Sequence, residues 1–299
     1  MNNENKGMIY GGMGVFGFGL TLPATRYIIE DFDPIFIGLG RAVFATVFAI
    51  AFLAINRAPM PTAKQWGALC VVALGGVIGF PLFSTIAMEY VPATHGAIVL
   101  GVLPLATALA GVIVSSERPS KGFWLTGITG SALIVVFTLR EGAGNFQLGD
   151  LALLGAMLSA AIGYAVGGQL AKQMGGGQVI CWAILMAFPL VLYPVVNAFP
   201  AQWQTISAEH WGGFVYLVLV SQLLAFFLWY KGLALGGIAR VGQVQLLQPF
   251  VTITASVFLL NEAMNRDTLL FAILVVGTVA LGKKMPIHQK PNLPSGVTS

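Results

Sequence analysis

The chain has 299 residues, 57% of them hydrophobic and only 9% charged, with a formal net charge of +4 and a pI near 9.1. A charged fraction far below the roughly 25% of a water-soluble domain argues against a soluble enzyme. It argues equally against a nucleic-acid partner, because the basic residues of so apolar a chain report membrane orientation instead. In chain order, apolar blocks predict membrane spans near 8–29, 34–55, 66–90, 92–114, 122–140, 148–170, 178–199, 211–231, 238–260 and 267–284. Lys6 precedes the first block as in a signal peptide, but the run continues into LTLPATRY (Leu20 to Tyr27) without a small-x-small cleavage site, so an uncleaved first span is expected. Cys70 and Cys181 fall within apolar blocks and are expected to be buried and free, with no disulfide and no metal site. The connections are short, so neighbouring spans should be antiparallel with no large extramembrane domain. Pro286, Pro291 and Pro294 predict a disordered cytoplasmic tail over 286–299.

With the N-terminus inside, Lys6, Arg57, Lys64, Arg118, Lys121, Lys172, Lys231, Arg240, Lys283, Lys284 and Lys290 collect on the inner side, and only Arg26, Arg140 and Arg266 on the outer. Both termini are therefore expected to be cytoplasmic. Trp66, Trp124, Trp203 and Trp211 lie near span ends as interface anchors.

One pattern occurs twice. VLPLATALAGVIVSSERP (Val102 to Pro119) and LQPFVTITASVFLLNEAM (Leu247 to Met264) each carry a mid-span proline and a terminal carboxylate. Pro104 and Pro249 stand 145 positions apart, as do Glu117 and Glu262, Thr107 and Thr252, and Ala110 and Ala255. This marks an internal duplication with halves at 1–145 and 146–285. Each half holds an odd number of spans, so the second enters the membrane upside down, and an all-α membrane protein of ten transmembrane helices in two inverted five-helix repeats is expected. Glu117 then faces inside and Glu262 outside.

DPIFIGLGR (Asp33 to Arg41), LPLATALAGVIVSSE (Leu103 to Glu117), GDLALLGAMLSAAIGYAV (Gly149 to Val166) and LQPFVTITASVFLLNE (Leu247 to Glu262) together resemble the drug/metabolite transporter superfamily in its ten-helix form of two EamA-type repeats. The resemblance runs over nearly the whole chain and looks closest to the amino-acid exporters, aromatic ones in particular. It implies an inner-membrane exporter working by alternating access, with an amino acid as small-molecule substrate. Arg26 stands where many relatives have lysine.

Proline within a span frees a backbone carbonyl, so Pro81, Pro104, Pro189 and Pro249 are expected to face protein or a polar cavity rather than lipid. Pro81, Pro104 and Pro249 are candidate hinges, and Glu117 and Glu262 candidate gates, with static kinks and loop ordering as the alternatives. Glycine clusters such as GGMGVFGFG (Gly11 to Gly19) read as close helix packing, not a phosphate loop. Polar groups at membrane depth are costly unless paired, hydrated or used. Gln245 and Gln248, just ahead of Pro249, Gln222 in the eighth span and Tyr164 in the sixth are therefore candidate substrate contacts, with interhelical bonding or packing as the alternative. Ser84, whose hydroxyl can instead bond back to its own helix, His95, Phe83 and Trp229 complete the candidate set, with Phe16 and Phe18 on the same spans. Arg41, about 10 Å below the outer surface at 1.5 Å per residue, must find carbonyls, water or a carboxylate such as Glu89.

All carboxylates are expected at span ends or in loops, which leaves coupling to His95 or to downhill transport. No catalytic elbow or paired carboxylates mark an enzyme, and no cofactor is implied. The same apolar cavity suits drugs or other metabolites, while a passive channel needs a continuous polar lining. The lipid bilayer is the expected environment, and one chain holding both halves makes a monomer sufficient.

Overall fold

Helix starts in this chain are written by short polar residues. Asp33 accepts the Ile35 N–H at 2.7 Å with Pro34 opening its helix, Thr62 and Gln65 cap each other, and Ser207 accepts the His210 N–H at 3.2 Å. The computed structural model describes residues 2–115, 117–141, 147–262, 266–283, 285 and 287–289. Among them run α1 (Asn3–Gly19), α2 (Thr21–Ile28), α3 (Pro34–Ile55), α4 (Ala63–Tyr90), α5 (Ala93–Val114), β1 (Glu117–Pro119), α6 (Lys121–Glu141), α7 (Leu148–Met174), α8 (Gly176–Asn197), α9 (Ala208–Gly236), α10 (Ile238–Leu260), α11 (Arg266–Lys283) and β2 (Ile287–Gln289). Seven helices, α3, α4, α5, α7, α8, α9 and α10, are long and apolar enough to cross a membrane. Side chains such as Val47, Ile113 and Phe258 leave their outward faces apolar and exposed, as lipid-facing surfaces are.

The packing exchanges symmetrically between the halves. The principal contacts are α1 with α9, α3 with α8, α4 with α7, α5 with α7, α1 and α2 with α10, and α6 with α11. Taking α1 and α2 as one rod broken at Leu20, the first rod of one half meets the third of the other, second meets second, and last meets last. A two-fold relation between two five-rod units produces this pattern.

Close approach depends on glycine at two crossings. Where α1 meets α9, a Cβ on Gly232 would lie 2.7 Å from the Gly11 nitrogen, and where α4 meets α7, one on Gly163 would lie 2.9 Å from the Gly76 nitrogen. Two joints also need glycine. Gly175 (φ 84°) alone separates α7 from α8, and Gly237 (φ 87°) alone separates α9 from α10.

Three expectations change. Cys181 is buried but Cys70 is exposed, and both are free, because an apolar helix face can meet lipid as readily as protein. Pro189 is exposed within α8, whereas Pro81, Pro104 and Pro249 are buried. Residues 287–289, placed by the sequence in a tail without order, form β2 and pair antiparallel with β1, Glu117 opposite Gln289. Pro286, Pro291, Pro294, Lys284 and Lys290 lie outside the described residues.

Replacing Gly163 with valine is expected to push α4 from α7 and cost about 1–3 kcal/mol. Thermal unfolding of the purified protein in detergent measures this, with Gly212→Val, where a Cβ meets nothing within 4 Å, as the control.

Candidate functional site

The helices leave α geometry at five places. α1 breaks from α2 at Leu20, and turns with N–H to C=O bonds five residues back widen α4 at Ala73–Gly79 and α9 at Leu217–Leu224. Turns bonded three residues back tighten α5 at Leu100–Val102 and α10 at Gln243–Leu247. Both kinds recur about 145 positions later, in step with the proline repeat. Pro104 and Pro249 each open the α segment that follows the tight turn, where their missing N–H costs least.

Hydroxyls take carbonyls at these interruptions. Tyr216 donates to the Gly17 carbonyl and Thr252 to the Gly19 carbonyl, each at 2.6 Å, beside the Leu20 break. Ser84 and Thr85 both donate to the Pro81 carbonyl, at 3.1 and 2.8 Å. The Ser84 hydroxyl is thus spent on its own helix.

Buried polar side chains gather in the same layer. Gln222 lies in the widened turn of α9 with its amide nitrogen unpaired, and Ser221 beside it shares a 2.8 Å hydroxyl bond with Thr21. In the tight turn of α10, Gln245 accepts from Thr107 of α5 at 3.3 Å while its amide nitrogen has no partner. Gln243 has neither amide atom paired and Gln248 has an unpaired oxygen. Tyr164 sits in an aromatic group with Phe18 (5.9 Å between ring centroids), Phe226 (5.9 Å) and Trp229 (5.3 Å), and the Trp229 indole N–H is also unpaired. The structure therefore brings Tyr164 and Trp229 together and places Phe18 with them. Phe83 instead rests on Gly155, about 13 Å along α7 from Tyr164, and is exposed, as is Phe16.

Arg41 does not pair with Glu89, which is exposed at the end of α4. Its bonds go to the Gly38 carbonyl and the Ser221 hydroxyl.

At the end of the bundle expected to face outward, the N-terminus of α5 is held from the second half. The Glu262 carboxylate accepts the Ala93 and Thr94 N–H groups at 2.9 and 3.0 Å. His95 Nε2 lies 2.7 Å from Asp150 Oδ1, both side chains buried, and Asp150 Oδ2 accepts the Gln147 N–H at 3.0 Å. Asp31 with His210 and Tyr27 with Glu209 add exposed links between the halves. Asp150 is the residue the sequence reading missed: its place three residues into α7 reads as an ordinary helix-capping acid, and its partner is remote in sequence. Glu117 enters through its backbone in β1. At the opposite end a cavity of about 340 Å³ opens among Thr62, Lys64, Gln65, Ala68, Val114, Val166, Gln169, Leu170 and Gln173. There Arg240 pairs with Glu4 at 3.3 Å and Lys231 lies 4.1 Å from the centre of the Tyr10 ring.

Comparison with known proteins places this architecture. The EamA-like transporter family matches the chain twice, over residues 5–139 and 147–281. The chain is 39% identical over 284 residues to "Uncharacterized transporter YdeK" of Bacillus subtilis, covering 95% of this chain and 99% of that protein. It is 23% identical to an "Uncharacterized transporter" of Archaeoglobus fulgidus, covering 85% and 89%. A protein crystal structure superposes with a TM-score of 0.71 at 18% identity, covering 93% of this chain and 98% of that one.

Asp150→Ala is expected to remove the bonds to His95 Nε2 and the Gln147 N–H and to cost about 1–3 kcal/mol. A lower melting temperature for the purified protein, with Asp150→Glu nearer the wild type, checks it.

Proposed function

The chain belongs to the EamA-like transporter family, and from that premise we propose that it exports amino acids, aromatic and other neutral ones, across the inner membrane by alternating access between two inverted five-helix halves. The observation that carries this reading is the coincidence of paired helix interruptions with buried, incompletely bonded polar side chains. Broken or distorted helices at membrane depth are tolerated where they line a cavity, and the boundary between repeats is where such transporters bind solute. Tyr164, Trp229 and Phe18 offer aromatic faces to an apolar side chain, and Gln222, Gln245 and Gln248 offer amides to the polar end. In this reading all ten rods span the bilayer, both termini are cytoplasmic, and one chain suffices.

Movement follows from the same pairs. Pro104 and Pro249 sit at matched interruptions and serve as hinges, while Glu262 on the α5 N-terminus serves as an outer gate that parts when the halves tilt. The buried His95–Asp150 pair ties the same end of α5 to α7.

Two experiments test the proposal. In a Cys70→Ser background, cysteines at 117 and 262 should react with membrane-impermeant reagents from opposite faces of oriented vesicles, 262 from outside. Labelling from one face rejects the inversion. In proteoliposomes, Gln245→Ala and Gln248→Ala should each slow L-phenylalanine counterflow about 3- to 10-fold, the loss of one hydrogen bond to the solute, while unfolding stays cooperative. Wild-type counterflow in both variants removes them from the site.

A further inference from the structure

We propose that Arg41 is a binding residue that anchors a carboxylate on the transported solute. This rests on the transport reading above and adds to it a charged subsite.

Arg41 is the eighth residue of α3 and 1% exposed, buried where α3 packs on the widened turn of α9. A guanidinium has five N–H donors. Here Nε reaches the Gly38 carbonyl at 3.4 Å, Nη1 reaches the Ser221 hydroxyl at 3.5 Å, and Nη2 has no partner. Both bonds are long for a charged donor, which usually sits at about 2.7–2.9 Å from its acceptor. The ion pairs among the described residues join His95 to Asp150, His210 to Asp31 and Arg240 to Glu4, so no carboxylate answers Arg41. A buried cation without an anion is costly inside a membrane protein.

The surroundings say what would answer it. Ser221 is positioned by Thr21 at the Leu20 break, and Tyr164 is near enough for its phenol and the guanidinium to interact electrostatically. The aromatic group of Phe18, Phe226 and Trp229 continues from Tyr164. Among the donor atoms that stand unpaired in or beside this layer are Arg41 Nη2, the Gln222 amide nitrogen and the Trp229 indole nitrogen. A cation with spare donors, flanked by aromatic rings and free of acidic groups, complements a planar carboxylate attached to an apolar body, and the guanidinium fork matches that group through two parallel bonds. Arg41 and Thr21 belong to the first half, and Ser221, Gln222 and Tyr164 to the second. Tilting the halves apart opens this layer to a solute, and the incoming carboxylate supplies the missing counter-charge.

The test uses purified full-length protein and four probes of similar apolar body: L-phenylalanine, 3-phenylpropanoate, 3-phenylpropan-1-ol and 2-phenylethylamine. Binding is read as a ligand-dependent rise in melting temperature and transport as counterflow in proteoliposomes. The wild type should bind the two carboxylates and discriminate against the alcohol and the amine. Arg41→Gln should weaken carboxylate binding about 10- to 100-fold, as for one charged hydrogen-bonded contact, without altering the response to the alcohol. Failure of both carboxylates to bind, or equal binding by wild type and Arg41→Gln, overturns the anchor. Counterflow of L-phenylalanine unchanged in Arg41→Gln overturns it too while leaving the export reading standing. Arg41-dependent binding of 3-phenylpropanoate without L-phenylalanine transport does the reverse. If Arg41→Gln does not fold, Arg41→Lys, which keeps the charge but loses the fork, decides: selective weakening of carboxylates supports the anchor, and unchanged affinity overturns it.

Discussion

In hydrocarbon a backbone N–H or C=O has no water to turn to, and that constraint decides where this protein can be irregular. Five interruptions in otherwise apolar rods each free backbone groups that must be answered from within the chain. Tyr216 and Thr252 answer at the Leu20 break, while Ser84 and Thr85, just past the widened turn of α4, bond back to the Pro81 carbonyl of their own helix. A place able to satisfy stray backbone groups also tolerates polar side chains. Gln222, Gln243, Gln245 and Arg41 are buried in this layer for that reason, and the location of the candidate site follows from the helix breaks rather than from any one motif.

The rods and the proline repeat were legible because both are written in one dimension: apolar blocks set length, and a fixed offset sets the duplication. The proline positions located the tight turns of α5 and α10. The widened turn of α9 was not legible, since LVLVSQLL (Leu217 to Leu224) holds no proline or glycine and differs from a regular helix only in how it bonds. Facing was the other limit. Lipid and protein interior are both apolar, so hydrophobic periodicity does not separate the exposed Cys70, Pro189 and Phe83 from the buried Cys181, Pro104 and Phe18. Asp150 and His95 belong to different halves, so their pairing depends on how α5 packs on α7.

Arg41 shows the same division between sequence and fold. Its depth could be counted from Pro34, but its partners could not, because a nearby carboxylate such as Glu89 and a distant hydroxyl such as Ser221 are equally compatible with the sequence. The fold chooses the hydroxyl, which leaves the charge unbalanced. A charge left unbalanced at a boundary between halves is a different object from one neutralised within a half: its energy depends on what occupies the boundary.

The two ends of the bundle are closed by different interactions. At one end Glu262 puts a charge on two N–H groups of α5, and a buried His95–Asp150 pair ties the same helix to α7. Shielded, charge-assisted bonds of this kind contribute more than exposed ones. At the other end the links between halves among the described residues include an exposed Arg240–Glu4 pair, the Lys231–Tyr10 contact, a Gln65–Gln173 hydrogen bond and the β1–β2 pairing, and an exposed ion pair contributes about 0–1 kcal/mol. On the proposed anchor, a solute carboxylate at Arg41 replaces a missing interaction at the centre, and the free energy released there is available to work against the contacts of Glu262.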